Sequence, residues 1–577
     1  MDAVVSDPAA TVPPPAPLAM PSQSLREAPP ASFSWPRPRV VAARLVTFGG
    51  AAALAVAGYW QMQKVFGPES ATTLQILLNV AFTLAFGWIA LAATTAVAGA
   101  MFAPRPTRMP GRAIASRTAI VMPVYNEDAI ETAAALAAMG DGLADFGVGD
   151  RYEIFILSDT RDPEKWVRET AAVAAVRDRL AGRMAVWYRR RARNEGRKAG
   201  NLRDFVERWG GRYDFFLSLD ADSVMAPETI VEMTRRMEAD PRLALLQTLP
   251  VLVGGETLYG RLQAFAGRLY GPVVARGVAA WQGEDGNYWG HNAMLRTAAF
   301  ASAAGLPDLS GKPPFGGHIL SHDFVEAALL RRAGWSVRMD PDLDGSFEGS
   351  PPSLAAAAVR DRRWAQGNLQ HARVIGTAGL RWPSRFHFAI GIASYLASPV
   401  WLVLLVLGIV LTAQTILGQP QYFPDAHQLF PTWPRFDAAR MRWLFVATMG
   451  LLMLPKLIGI AAALADEATR RRYGGRGRLL AGATTEIVLS ALYAPIMMLI
   501  QTRQLGEILA GRGSGWSAQA RAGGRLSWGE ALARHATHLL AGIALFAAAY
   551  LAAPPLLPWL SPVLAGLVLA PLLARAS

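Results

Sequence analysis

The chain contains no cysteine, which excludes disulfides, zinc–thiolate centres and thiol nucleophiles. Charge is scarce as well: 18% of the 577 residues are charged and 52% are hydrophobic. That balance is too apolar for a soluble enzyme and fits a soluble domain joined to membrane helices. Acids are outnumbered 44 to 57 by Lys and Arg, which leaves a formal charge of +13. The excess does not point to nucleic acid, because no aromatic-interleaved basic module is present. The arginines cluster beside apolar runs, where anionic lipid headgroups and membrane orientation account for them. The N-terminus lacks the charged start and cleavage site of a signal peptide.

What is present falls into zones. Residues 1–38 are rich in Pro, Ala and Ser and are expected to be disordered. Residues 39–102 hold two apolar runs, about 40–62 and 73–101, each long enough to span a bilayer. Their connection, 63–71, is short, and Arg105, Arg108, Arg112 and Arg117 follow. By the positive-inside rule, the N-terminus and the next domain are cytoplasmic. In residues 116–382, short apolar runs at 118–123, 152–157, 184–188, 215–219 and 244–249 alternate with charged helical stretches. This order predicts an α/β domain with a largely parallel sheet. Residues 387–465 contain two further spans, about 387–417 and 443–465, with a periplasmic connection. Region 466–534 has one apolar segment, 479–500, interrupted by Glu486 and Pro495. Arg470, Arg471, Arg472, Arg476 and Arg478 precede it; Arg503, Arg512, Arg521, Arg525 and Arg534 follow. Basic flanks on both sides do not suit a single crossing, so interfacial, re-entrant and paired arrangements stay open. Residues 538–573 read as a transmembrane hairpin.

Chemistry concentrates where apolar runs end. The run Phe215-Phe216-Leu217-Ser218-Leu219 closes on Asp220-Ala221-Asp222. Two carboxylates at a strand end suit a divalent metal that shares diphosphate oxygens, although such acids also cap helices. Tyr125-Asn126-Glu127 follows the first strand, Asp159 ends the second, and Asn194-Glu195-Gly196-Arg197-Lys198 forms a basic turn before a helix. In this order and spacing they resemble the nucleotide-sugar half of family-2 inverting glycosyltransferases. The resemblance implies a GT-A glycosyltransferase domain inserted between transmembrane helices of a multi-pass protein. It also implies that Tyr125 and Glu127 line the nucleoside, Asp159 holds the uracil, Lys198 faces the diphosphate, and Asp222 with Asp220 serves Mg²⁺ (or Mn²⁺).

Ile319-Leu320-Ser321-His322-Asp323 falls where that family carries its general base, which makes Asp323 the candidate. A bland alternative is that Asp323 caps the helix after it. Arg360-Asp361-Arg362-Arg363-Trp364 matches the family's Q-x-x-R-W at Arg363 and Trp364, with Arg360 in place of the Gln. Arg363 is implied to contact the diphosphate and Trp364 to stack under the acceptor sugar. His322 is counted with the acceptor residues, although His318 and His322 find no third partner at metal spacing and otherwise read as structural histidines. His291 and Asn292 are placed at the acceptor side, with capping of the next helix as the alternative for Asn292.

Longer strings sharpen the resemblance. Glu284-Asp285-Gly286-Asn287-Tyr288-Trp289-Gly290-His291-Asn292 and Trp364-Ala365-Gln366-Gly367-Asn368-Leu369-Gln370-His371 are similar to the osmoregulated periplasmic glucan glucosyltransferases of Gram-negative bacteria. Membership implies an inner-membrane enzyme with a cytoplasmic catalytic domain that builds a linear β-1,2-glucan from UDP-glucose and couples synthesis to export. Its partners would be UDP-glucose, the growing glucan, membrane lipids and acyl carrier protein. Another processive synthase of the cellulose or chitin type, a lipid-carrier glycosyltransferase, and a non-enzymatic transporter or sensor are the rival readings.

Overall fold

A computed structural model describes residues 11–66, 72–106, 109, 111–417, 436–513 and 526–577. Arg108, Arg521, Arg525, the first ten residues, and parts of the 63–71 and 418–442 connections therefore lie outside the described residues. Seven strands form the main sheet: β1 (Thr118–Val124), β2 (Tyr152–Ser158), β3 (Ala185–Arg190), β4 (Phe215–Ser218), β6 (Leu243–Gln247), β8 (Ala293–Arg296) and β9 (Ser336–Met339). Their order is β3-β2-β1-β4-β8-β6-β9. A smaller sheet joins β5 (Val224–Met225), β7 (Val251–Val253) and β10 (Ser346–Gly349) in the order β5-β10-β7. The main sheet is mixed, because β8 runs antiparallel to β4 and β6.

Both faces of this sheet are covered, which is why its strands read as continuous apolar runs. Ile120, Met122, Ile154 and Ile156 pack on one face with Leu136, Met139, Val173 and Ile230. Ala119, Val121, Phe155 and Leu157 pack on the other with Leu202, Phe205, Trp209 and Phe300. Each large side chain so buried is worth about 2 kcal/mol of transfer free energy. Ligands bind beyond the C-terminal strand ends of such sheets. The reversal of β8 matters for this: it brings the residues before the strand, Gly290 and His291, to the edge where β1, β2 and β4 end.

Among the described residues, six helices are long and apolar enough to cross a membrane: Pro38–Val65, Thr73–Phe102, Trp382–Ile416, Ala438–Ala465, Arg476–Leu509 and Trp528–Ala552. The first four coincide with the expected spans. The segment left open in the sequence is one continuous helix, Arg476–Leu509. Both of its ends meet parts of the chain outside the other five apolar helices. Gly482 packs on Phe265, and Gln504 donates to the Ala358 carbonyl (2.9 Å). Where a hairpin is expected, the chain continues from Trp528–Ala552 into Pro554–Val568 and Ala570–Ala576, which meet at 54°. It returns far enough for Arg575 to lie over the Trp528 ring.

One expectation needs correction. Residues 11–37 have neither helix nor strand, yet they run along the catalytic domain in defined contact. Tyr188 N donates to the Thr11 carbonyl and Trp209 Nε1 to that of Pro13. Met20 is buried in the core, and Arg332 Nη1 donates to the Ser24 carbonyl (2.7 Å). The low-hydrophobicity composition suggested disorder, but a proline-rich chain is already stiff and extended. It gives up less entropy on docking than an ordinary loop.

Candidate active site

A cleft of about 710 Å³ opens at the C-terminal edge of the main sheet. It collects Tyr125, Glu127, Asp159, Lys198, Asp220, Asp222, His291, His322, Asp323, Arg363 and Trp364, which are all but one of the residues singled out in the sequence. The exception is Asn292. It is fully buried, with a backbone φ of 50°, and its amide donates to Ser346 Oγ (2.8 Å) and to the Phe347 carbonyl (3.1 Å). Asn292 does not line the cleft, and no helix follows it directly, so the acceptor role and the capping role both give way to a structural one. It pins β10 beside β8.

Lys198 opens the helix Arg197–Trp209 and reaches across the cleft floor. Its Nζ donates to Asp220 Oδ1 and to the Gly290 carbonyl (2.7 Å). Burial disfavours the Asp220 anion, but Lys198, then His291, outweigh it and hold this carboxyl well below its usual range. Both acids line the cleft, but Asp220 is engaged by a lysine, whereas Asp222 forms no salt bridge among the described residues. Among the described residues no group of three or more His, Asp or Glu side chains could hold an ion. A divalent metal would thus take Asp222 and complete its shell with substrate oxygens and water. Mg²⁺ is commonly bound in that way, so the residues fit the ion.

Asp159 carries a second fixed cation: Arg191 Nε and Nη2 donate to its two oxygens, each at 2.7 Å. Any contact from Asp159 to a base is made beside Arg191. Arg363 also lines the cleft. Burial pulls its guanidinium below its ordinary pKa, and the charge of Glu127 opposes that shift.

Asp323 lies in the first turn of His322–Arg332, a helix whose N-cap position is Ser321. It is therefore not the capping residue. Burial pushes the Asp323 carboxyl above its ordinary value, with Glu326 adding to that effect and His322 opposing it. His322 Nδ1 lies 3.0 Å from Glu326 Oε2. The pair gives His322 a structural anchor within reach of the cleft. The placement of Asp323 depends on Gly367. A Cβ there would sit 2.3 Å from Ser321 Oγ, so only glycine lets the helix Leu354–Gln370 press against the start of the Asp323 helix. Arg360, Arg363 or Trp364, and Gly367 fall on one helical face by their i, i+3, i+4, i+7 spacing.

A base must be ionised to act. The raised Asp323 pKa therefore predicts that kcat/KM falls as pH drops through a value above the free Asp range of about 4. A pH–rate profile with an acid limb of unit slope in that range is the expected result. A rate flat down to pH ~4 would remove Asp323 from the role.

Glu348 was missed in the sequence. It sits in β10 with Oε2 3.0 Å from His291 Nε2. Burial, then the neighbouring Asp222, hold its carboxyl above the ordinary value, against the pull of His291. A Cβ on Gly349 would lie 3.0 Å from Asp222 Oδ2. No local motif announces Glu348, because only the pairing of β10 with β5 and β7 brings it to the acids.

A polar cleft at the edge of a mixed α/β sheet, lined by carboxylates, a lysine and an aromatic ring, with long apolar helices before and after the domain in sequence, fits a family-2 glycosyltransferase of GT-A-like fold. Residues 119–302 match the model for glycosyl transferase family 2, and residues 215–455 match that for glycosyl transferase family group 2. The chain is 49% identical over 538 residues to the glucans biosynthesis glucosyltransferase H of Vibrio cholerae serotype O1 (strain ATCC 39541), covering 93% of this chain and 74% of the relative. It is 48% identical over 533 residues to the protein of the same name from Shewanella sp. (strain ANA-3), covering 92% and 73%. The chain belongs to this family, the H-type glucosyltransferases of glucan biosynthesis. Among solved structures, the yeast mannosyltransferase Ktr4p aligns with 8% identity over 49% of this chain and 77% of that one, at a TM-score of 0.21, too low to bear on the fold.

Proposed function

We propose that this protein is an inverting, processive glucosyltransferase of the bacterial inner membrane that polymerises glucose from UDP-glucose into a linear β-1,2-glucan. The observation that carries the reading is one cleft lined by Lys198, Asp222 and Arg363 together with Asp323 and Trp364. The first group suits a diphosphate leaving group; the second suits a sugar hydroxyl that must lose a proton.

In the proposed cycle Asp323 takes the proton of an acceptor hydroxyl. The oxygen forms a bond to the anomeric carbon while the bond from that carbon to the diphosphate breaks, and α configuration becomes β. Lys198 and Arg363 hold the charge that develops on the departing UDP. Mg²⁺ or Mn²⁺, when bound at Asp222, supplies further neutralisation of the diphosphate.

The catalytic domain is assigned to the cytoplasm, where nucleotide sugars are made. With both ends of Arg476–Leu509 touching chain outside the other apolar helices, an in-plane position for that helix is consistent with its basic flanks. The cleft continues past Asp323 to Ser394 and Tyr395 of the helix Trp382–Leu417, and this continuation is the proposed start of an export route. Proteoliposomes that retain all product on the catalytic side would contradict export. Acyl carrier protein is kept as a proposed partner on resemblance alone.

The donor is tested by UDP release from the detergent-purified protein with Mg²⁺ and a panel of UDP-sugars. Turnover on UDP-glucose well above the others is expected; preference for an N-acetylated sugar would favour a chitin-type synthase.

A further inference from the structure

Arg360 stands where processive relatives of the broader family carry a glutamine, and its surroundings are unusual for a charged side chain. Its guanidinium lies over the Trp364 ring, 4.6 Å from the centroid. Its Nε is buried and has no hydrogen-bond partner among the described residues. Its charge acts on Glu348 and Asp361, and it forms no salt bridge to either. Arg360 lines the cleft together with Trp364, Tyr395 and Glu348. A guanidinium in a cleft wall, stacked but without a bonded acceptor at Nε, is arranged to donate to something that enters the cleft.

We propose that Arg360 is the specificity-determining residue for the acceptor: its guanidinium, held over the Trp364 ring, grips two adjacent hydroxyls of the terminal sugar and so decides which hydroxyl faces Asp323. This rests on the reading of the cleft as a glucan-elongating site. The chemistry of the side chain supports it in two ways. Arginine only donates, so the hydroxyls it grips act as acceptors and keep their protons, while the hydroxyl that attacks must give its proton to Asp323. Those are therefore different hydroxyls, and fixing one pair fixes the third. Arginine also covers one face of the indole, which a glutamine does not. A pyranose stacking on Trp364 is left with the other face or the edge, so the ring enters in a different orientation. Lysine cannot substitute, because a point charge lacks the planar fork.

The test uses the full-length protein in detergent with UDP-glucose and a short glucan oligosaccharide, comparing wild type with Arg360→Gln and Arg360→Lys. Both variants are expected to raise the acceptor KM by about tenfold or more. Their products should lose a uniform linkage, while the Kd for UDP stays within about twofold. UDP binding also reports that the cleft is folded; if Arg360→Gln fails to bind, the charge-conserving Arg360→Lys carries the comparison. Wild-type linkage and acceptor KM in the folded variants would overturn the proposal. So would a weakened UDP Kd with unchanged acceptor KM, which would make Arg360 a diphosphate ligand. If wild type itself builds no glucan from UDP-glucose, it is the elongation reading that fails.

Discussion

Asp323→Asn is expected to lower glucosyl transfer by about 10²–10⁴-fold while leaving UDP binding intact. The substitution keeps the shape of the side chain and removes the only carboxylate of the helix His322–Arg332 that combines a place in the cleft with a pKa raised by burial. Lys198 is held by its own contacts to Asp220 and the Gly290 carbonyl, so the donor residues stay in place. Stability supplies an independent check. A carboxyl whose folded pKa is raised contributes stability only at low pH and loses it as pH rises from the unfolded value to the folded one. At neutral pH the ionised Asp323 is thus a cost to the fold, and the neutral Asn variant should melt no lower than wild type. A variant that turned over normally would remove the base assignment. One that lost activity together with several degrees of Tm would make Asp323 a structural residue.

Lys198→Met is expected to be nearly as damaging, through a different route. Lys198 joins three parts of the floor: its own helix start, Asp220 and the Gly290 carbonyl. Removal takes away a cation from the departing UDP, which costs about 10²–10³-fold in kcat for a preorganised donor of this kind. It also leaves Asp220 without its lysine, so UDP affinity falls as well. The two residues act as a unit, and coupled neighbours do not add. Adding Asp220→Asn to Lys198→Met should therefore cost little more than Lys198→Met alone. Kinetics and UDP titration of the two single variants and the double variant measure this; strictly additive losses would show that the pair does not work together.

Much of this architecture could be read in the sequence, for identifiable reasons. Strands buried on both faces announce themselves as apolar runs, so β1, β2 and β4 and the acids at their ends were visible. Four of the long apolar helices were equally legible, since length and hydropathy are local properties, whereas the segment within Arg476–Leu509 was left open by its basic flanks. Three features were not. The Asp220–Lys198 pair lies 22 residues apart in sequence and forms only when the helix start and the β4 loop meet, so one of the two apparent metal acids is already paired with a lysine. Glu348 depends on a two- or three-residue strand pairing with no periodicity to detect. Asn292 looked like part of a polar sugar-binding string, but the antiparallel entry into β8 turns it into the core beside Ser346. The N-terminal segment misled in the opposite sense: its composition suggested disorder, while its carbonyls meet donors such as Tyr188 N and Arg332 that would otherwise face water.

The most direct test of the central claim is linkage and anomeric analysis of the product made by the purified protein from UDP-glucose and Mg²⁺. A glucan joined by β-1,2 bonds, absent with Asp323→Asn, is the predicted result. A β-1,4 product would keep the fold and the cleft but place the protein with the cellulose-type synthases, and α-linked product would contradict inversion at Asp323 altogether.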